Sequence, residues 1–164
     1  GSISQQMLTR IAVPGDAREV ARLISLADRV EAFFKIGDRT NEADVLARIK
    51  KSAFLLLEDD AGMLLGCVYV DIRGETGYFG MLSVDPSRQG QGLGSRLIAA
   101  AEDYCRTAGC HQMELEVVNL RTELPPLYRR FGYVESGTRP FFDHEQAKLP
   151  CPLIVMTKSF GPGA

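Results

Sequence analysis

A glycine-rich segment between an apolar run and a long helical pattern constrains this chain more than any other feature. The apolar run spans Met81–Val84 and ends at Asp85-Pro86, and three glycines then occupy alternate positions of Gly90–Gly94. Glycine lets the backbone turn sharply and leaves its N–H groups uncovered. Those groups and the positive end of the helix dipole attract phosphate. The sequence therefore predicts a strand, a phosphate-binding turn and a helix, in that order.

The glycine spacing excludes two common nucleotide-binding loops. A dinucleotide-binding loop has the pattern G-x-G-x-x-G, but here Ser95 stands where the last glycine would be. A loop for nucleoside triphosphates has a lysine after its glycines, and none follows here. The pattern that fits is Q-x-x-G-x-G over Gln89–Gly94. Taken alone, this motif is explained equally well by a glycine-rich turn before an ordinary helix.

The length and composition of the chain indicate one ordinary globular domain. With 164 residues, 45% of them hydrophobic and 24% charged, the chain is long enough for one core and short for two. We expect the domain to span residues 3–160, with Gly1-Ser2 the remnant of an expression tag. The net charge of -2 argues against nucleic acid as a partner, because phosphate backbones require clustered positive charge.

The cysteines and the apolar runs indicate neither a metal centre nor a membrane protein. The four cysteines lie far apart, and the two histidines complete no zinc-binding pattern. No apolar run approaches the length of a membrane span, and no secretory leader pattern stands at the start. We therefore expect no metal, no membrane partner, and a cytoplasmic protein with reduced thiols.

Hydrophobic periodicity predicts a mixed α/β (α+β) fold. Apolar residues recur at helical spacing after Asp16, over Asn41–Lys51 and after the glycine segment. The predicted strands, each bounded by turn residues, are Leu8–Val13, Ala53–Glu58, Met63–Ile72, Tyr78–Val84, Gln112–Val118, Tyr133–Thr138 and Leu153–Ser159. The long helix after the glycines is a crossover, so the strands before and after it should pair in parallel within a mostly antiparallel sheet.

Three motifs, taken in order, resemble the GCN5-related N-acetyltransferase (GNAT) family. The first is the strand and loop from Met81 to Gly94, and the second is the strand end Val117-Val118-Asn119. The third is Leu127-Tyr128-Arg129-Arg130-Phe131-Gly132-Tyr133, which is similar to the family's L-Y-x-x-x-G-F signature. The resemblance implies a single-domain fold with a mixed, mostly antiparallel central sheet, flanking helices and two central parallel strands that splay apart.

The resemblance also implies where coenzyme A binds. Backbone N–H groups from Gly90 onward would hold its pyrophosphate, and the backbone of Leu82–Val84 would hydrogen-bond its pantetheine arm like an added strand. An N–H near Leu82 would polarise the thioester carbonyl. The expected coenzyme-binding residues are Leu82, Ser83, Val84, Gln89, Gly90, Gln91, Gly92, Leu93, Gly94, Ser95 and Asn119. The expected cosubstrate is acetyl-CoA.

Tyr128 and Glu116 are the expected catalytic residues. A phenol can donate a proton to the thiolate that leaves when an amine attacks a thioester, and in the family the tyrosine at this position often does so. The alternative for Tyr128 is a half-buried helix aromatic. The attacking ammonium must also lose a proton, for which Glu116 is the first choice and Glu114 and Glu75 are alternatives. Each carboxylate is otherwise an ordinary solvated or ion-paired group.

The expected function is transfer of the acetyl group of acetyl-CoA to a primary amine by direct attack, with a small molecule favoured as acceptor. The alternatives are a non-catalytic acyl-CoA-binding module and a peptide or protein N-acetyltransferase. The stretch from Asn119 to Tyr128 is longer than in many family members, so the role of Asn119 is open, and the alternative is that Arg121 reaches the acceptor site. Residues 139–151 form either a lid over the acceptor or a dimer contact, and dimers are frequent in the family.

Overall fold

A seven-stranded mixed sheet forms the centre of this protein. The computed structural model describes residues 7–27, 41–88, 90–118, 122–140 and 153–160. The strands are β1 (Leu8–Ile11), β2 (Ala53–Glu58), β3 (Leu64–Arg73), β4 (Thr76–Val84), β5 (Gln112–Val118), β6 (Val134–Arg139) and β7 (Leu153–Ser159). The helices are α1 (Ala17–Ala27), α2 (Glu42–Lys51), α3 (Leu93–Thr107) and α4 (Leu124–Arg129).

The strand order is β1-β2-β3-β4-β5-β7-β6, and every neighbouring pair is antiparallel except β4 and β5. The hairpin between β2 and β3 has a local cause. The Asp59 carboxylate accepts hydrogen bonds of 2.9 Å from the N–H groups of Ala61 and Met63, and Gly62 takes a φ of 83° that favours glycine. The predicted mixed, mostly antiparallel α+β fold is confirmed.

Both faces of the sheet are covered at β2 and β3, because these strands carry apolar residues on both sides. In β2, Leu55 and Leu57 pack in a core with α3, whereas Phe54 and Leu56 pack in a second core with α1 and α2. All of these side chains are buried. A strand buried on both faces has a continuous apolar run, which is the pattern that predicted β2 with its observed bounds.

The helices of the second core begin at different local signals. The Asn41 side chain accepts a 2.9 Å hydrogen bond from the N–H of Asp44, so this residue caps α2, whose predicted range began at Asn41 itself. Asp16, after which the helical spacing of α1 begins, lies in a short 3₁₀ turn before the helix. Its carboxylate accepts from the N–H of Val13 and from the Arg10 guanidinium, and the Arg10 hydrogen bonds hold the pKa of Asp16 below its usual value.

The observed elements differ from the predicted ones mainly at their ends. The strand predicted over Tyr133–Thr138 spans Val134–Arg139 instead, and Tyr133 is fully buried ahead of it.

Within the described ranges, no helix is long and apolar enough to cross a bilayer, and no group of His, Cys, Asp and Glu side chains could hold a metal ion. The expected cytoplasmic location stays a prediction.

Candidate active site

The two parallel strands β4 and β5 separate soon after they begin. Their pairing joins Thr76 to Gln112, Gly77 to Met113 and Tyr78 to Glu114 and, among the described residues, extends no further. The expected parallel pair that splays apart is confirmed; its pairing begins at Thr76, ahead of the predicted strand start at Tyr78, and ends at Tyr78. Beyond Tyr78, β4 remains paired with β3 and β5 with β7. The sheet opens between its two central strands, which leaves the β5-facing backbone of β4 available to a ligand.

A β-bulge in β4 determines which side chains face this opening. The register with β3 shifts between Cys67 and Tyr69, and Met81 takes a φ of 53° that is unusual for a residue other than glycine. The extra residue shifts the alternation along the strand by one position. As a result Leu82 and Val84 contact the α3 core, while Met81 contacts the α1 and α2 core.

The segment after β4 reaches α3 through a turn and two glycines with positive φ. The Asp85 carboxylate accepts from the N–H (2.9 Å) and hydroxyl (2.8 Å) of Ser87, and these bonds lower the pKa of Asp85. Gly90 and Gly92 have φ values of 85° and 74°, and Gly92 precedes the first residue of α3. The local structure is the predicted one: a strand, a glycine turn and a helix N-terminus, whose N–H groups favour an anion.

A cleft of about 420 Å³ lies between this glycine turn and the region of α4. Seven of the expected coenzyme-binding residues line it: Leu82, Val84, Gly90, Gly92, Leu93, Gly94 and Ser95. Ser83 does not, because it is buried and its hydroxyl donates to the carbonyl of Met81 at 3.1 Å. Gln91 is exposed and is not part of the lining. Gln89, Asn119 and Arg121 lie outside the described residues.

Four further residues line the cleft that the sequence analysis did not assign to it, namely Arg88, Ile98, Leu127 and Phe131. Arg88 directly precedes the glycine motif and lies 3.7 Å from the Asp59 carboxylate. It supplies a positive charge beside the glycine turn. Leu127 and Phe131 belong to the L-Y-x-x-x-G motif, so their place in the cleft could have been inferred from that motif. The place of Ile98 could have been inferred from the helical spacing of the apolar residues in α3.

Tyr128 lies in α4 beside the cleft, between the lining residues Leu127 and Phe131. It is 9% exposed, and its ring packs edge-on against the rings of Phe79 (6.2 Å between centroids) and Tyr133 (6.4 Å). The N–H of Tyr133 donates to the Tyr128 carbonyl at 3.1 Å, which closes the chain back onto the end of α4. The Tyr128 ring is thus held firmly next to the opening between β4 and β5.

The three candidate carboxylates lie in two places. Glu114 and Glu116 project from β5 on the face opposite the α3 core and contact Arg139 of β6. Glu114 is the last residue of β5 paired with β4, so Glu116 lies where the strands have separated. Glu75 is 81% exposed in the turn before β4, 4.0 Å from His111. Glu116 therefore lies beyond the last pair of β5 with β4, on the sheet face opposite the core that contains Tyr128, and Glu75 lies at the opposite end of β4.

Comparison with known proteins identifies the family. The sequence model of the Acetyltransferase (GNAT) family matches residues 22–133. The chain belongs to this family of acetyltransferases. Its sequence is 34% identical to a mycothiol acetyltransferase of Clavibacter sepedonicus over 119 residues, which are 70% of this chain and 39% of that protein. It is 27% identical to an IAA acetyltransferase of Azospirillum brasilense over 120 residues, 72% of this chain and 78% of that protein.

Solved structures share the fold of this GNAT chain. A phosphinothricin acetyltransferase from Sinorhizobium meliloti, in complex with AcCoA, superposes with a TM-score of 0.75 at 18% identity, covering 96% of this chain and 90% of that one. At this identity the likeness concerns the fold alone. The chain spans less than two thirds of the length of most of the curated relatives that it matches.

Proposed function

We propose that this protein is an N-acetyltransferase that takes the acetyl group from acetyl-CoA and transfers it to the primary amine of a small molecule. The observation that carries the proposal is the cleft where β4 and β5 separate, bounded by the glycine turn at the start of α3. In this proposal the pyrophosphate binds the N–H groups from Gly90 to Ser95, since a helix N-terminus and uncovered amides favour an anion. Arg88 adds a positive charge at the same place.

The pantetheine arm fits the remaining part of the cleft. Leu82 and Val84 offer apolar side chains there, and the β5-facing backbone of β4 can hydrogen-bond an extended ligand as an added strand would. We assign the backbone of Leu82 and Val84 to this role. The backbone of Ser83 faces Cys67 of β3 instead, because Asp85, two residues further on, donates its N–H to the Leu65 carbonyl at 2.9 Å, so we assign Ser83 no contact. Gln89, Gln91 and Asn119 stay as predicted coenzyme contacts.

The proposed chemistry is direct attack on the thioester. The amine nitrogen bonds to the acetyl carbon, a tetrahedral intermediate forms, and the carbon–sulfur bond breaks to release the coenzyme A thiolate. A backbone N–H near Leu82 would stabilise the oxyanion. Tyr128 would give its phenolic proton to the sulfur, which its place beside the cleft supports. The proton that the attacking nitrogen loses as the intermediate collapses would restore the phenol. Glu116 would take the proton from the acceptor ammonium, directly or through water.

The relatives favour a small molecule as acceptor. Those cited above are named for mycothiol and IAA, neither of which is a protein. We therefore place a small amine ahead of a peptide. Part of the proposed acceptor region, residues 141–151 of the predicted lid or dimer contact, lies outside the described residues, and the homodimer stays a prediction.

Thiol release from acetyl-CoA tests the proposal when it is measured over a panel of small amines and peptides. An N-acetyltransferase releases coenzyme A only when an acceptor is present, and mass spectrometry of the product then identifies the acetylated group. Turnover with peptides alone would instead make this a protein N-acetyltransferase. Tight binding of acetyl-CoA without turnover for any acceptor would identify a non-catalytic binding module.

Tyr128→Phe tests the assignment of the proton donor. Because the ring and its aromatic contacts are kept, the variant should fold and bind coenzyme A normally while kcat falls by about 10²-fold or more. Tyr104→Phe, at a partly buried tyrosine on α3, is the matched control and should retain wild-type kcat. Equal kcat for Tyr128→Phe and the wild type would remove Tyr128 from the chemistry without affecting the proposed transfer reaction.

A further inference from the structure

A cluster of five charged side chains covers the sheet face opposite the donor cleft. It comprises Asp71 and Arg73 of β3, Glu114 and Glu116 of β5, and Arg139 of β6. Three carboxylates thus meet two guanidinium groups. The cluster lies at the opening between β4 and β5, since Glu114 is the last residue of β5 that pairs with β4.

Arg139 contacts the two glutamates unequally. Its Nη1 and Nη2 lie 2.9 and 3.0 Å from the two oxygens of Glu114, a bidentate pair. The same Nη1 lies 3.4 Å from Oε1 of Glu116, which is near the limit of a hydrogen bond. The bond to Glu114 accordingly contributes most to raising the pKa of Arg139. Both oxygens of Glu114 therefore accept from Arg139, whereas Glu116 accepts from the same Nη1 group that already donates to Glu114.

The other guanidinium does not compensate Glu116 either. Arg73 Nε lies 3.1 Å from Asp71, and its guanidinium stacks 4.2 Å from the centre of the Tyr78 ring. Its contact with the glutamates is a distance of 4.0 Å to Glu114. The side chains of Glu114 and Glu116 are 13% and 19% exposed. A carboxylate so far removed from water requires a cation close by. Among the described residues, Glu116 has the weakest compensation in the cluster, because its ion pair is the 3.4 Å contact with the Arg139 Nη1 that also serves Glu114, and the cluster holds one carboxylate more than it has guanidinium groups.

We propose that Arg139 is a specificity-determining residue: it occupies Glu114 and leaves Glu116 as the single carboxylate for the acceptor, so that the site selects an amine with one positive charge. The inference rests on the proposed acetyl transfer and names the class of its acceptor. One weakly compensated carboxylate matches one ammonium group, which then lies beside the group proposed to accept its proton. A second ammonium on the same acceptor would meet Arg139 and Arg73 instead of a free carboxylate.

Binding of two probe amines tests the proposal without requiring turnover. The probes are butylamine and 1,4-diaminobutane, which differ by one terminal ammonium, and calorimetry gives the dissociation constant of each for the protein saturated with coenzyme A. We expect the wild type to bind butylamine at least as tightly as the diamine. Arg139→Gln exposes a second carboxylate, so the preference for the diamine over butylamine should rise about 10-fold. Arg139→Lys should restore the wild-type ratio.

The ratio of the two constants separates specificity from structural damage, because partial unfolding weakens both amines equally. Arg106→Gln is the matched control: it removes the same charge from an ion pair with Asp103 on α3, outside the cluster, and it should leave the ratio at its wild-type value. An unchanged ratio in Arg139→Gln, or the same rise in Arg106→Gln, would overturn the proposal. Thiol release with the same amines tests acetyl transfer separately, since a wild type that binds butylamine without acetylating it contradicts the proposed reaction and not the role of Arg139.

Discussion

The buried hydroxyl of Tyr133 donates a 2.8 Å hydrogen bond to Oε2 of Glu102, which joins the start of β6 to the middle of α3. Lys158 of β7 lies 3.1 Å from both oxygens of the same carboxylate. Tyr133 is fully buried and Glu102 is 8% exposed. A carboxylate at such a position is tolerated because two donors satisfy it. The triad fixes α3, whose first turn borders the donor cleft, to the edge of the sheet formed by β7 and β6.

Tyr133→Phe should therefore destabilise the fold by about 1–3 kcal/mol, because it leaves a buried carboxylate oxygen without one of its donors. Chemical denaturation gives the free energy of unfolding. Tyr104→Phe removes a hydroxyl from a less buried tyrosine on α3 and should change that free energy by less than about 0.5 kcal/mol. Similar losses in the two variants would contradict a specific role for the Tyr133–Glu102 bond.

The stability of the protein should fall as the pH rises above about 9, and Cys105 is one cause. Burial raises the pKa of the Cys105 thiol to about 12. Between the unfolded value of about 8.5 and this folded value, the unfolded thiol is ionised while the folded thiol keeps its proton. In this range the folded state binds more protons than the unfolded state, so the free energy of unfolding decreases as the pH rises. Above about pH 12 the thiol is ionised in both states, and Cys105 causes no further decrease.

Denaturation of reduced protein at several pH values between 8 and 10 checks this dependence. A thiol that is ionised only in the unfolded state lowers the free energy of unfolding by at most about 1.4 kcal/mol for each pH unit. Cys105→Ala should reduce the slope, whatever its effect on stability at pH 7. Tyr133 contributes with the same sign, since burial raises its pKa, but only above its unfolded value of about 10. A slope that Cys105→Ala leaves unchanged would contradict the assignment.

Gly77 should be required at the point where β4 and β5 are still paired. A Cβ at this position would lie 2.5 Å from Sγ of Cys105 and 2.8 Å from Sδ of Met113. Gly77→Ala should therefore destabilise the fold by about 1–3 kcal/mol through overpacking. Gly137→Ala is the matched control, because a Cβ on this strand glycine would meet nothing within 4 Å. Thermal and chemical denaturation compare the two, and equal stabilities would show that the Gly77 contact relaxes at little cost.

The elements that could be predicted from the sequence are those with strong local signals. The predicted bounds of β2 and β5 agree with the observed ones, Ala53–Glu58 and Gln112–Val118. The first is a continuous apolar run between turn residues, and the second alternates strictly between apolar and polar residues. The glycine turn was likewise predictable, because Gly90 and Gly92 take conformations that other residues avoid.

The parts of the site that could not be predicted depend on contacts between distant residues. No local signal marks Met81 as the left-handed residue of a bulge, and without that bulge the side chains of β4 would be assigned to the wrong faces beyond it. The early separation of β4 from β5 is also a property of the packed sheet. The pairing of Arg139 with Glu114 joins residues 25 positions apart, so the sequence, which ranked Glu116 ahead of Glu114, could not show that Glu114 is the more strongly paired of the two.

Gly94→Ala should separate coenzyme binding from stability. Gly94 lines the donor cleft at the second position of α3, its φ is not positive, and a Cβ there would meet no protein atom within 4 Å. Alanine is the better helix former, so the free energy of unfolding should stay the same or rise by up to about 1 kcal/mol. The added methyl group would nevertheless enter the cleft and keep the pyrophosphate from the backbone. We expect coenzyme A to bind at least about 10-fold more weakly, a loss of about 1.4 kcal/mol measurable by calorimetry.

Gly92→Ala differs because its φ of 74° makes alanine strained, and it should lower both stability and affinity. Wild-type affinity in a stable Gly94→Ala variant would mean that the pyrophosphate does not approach the backbone at this position.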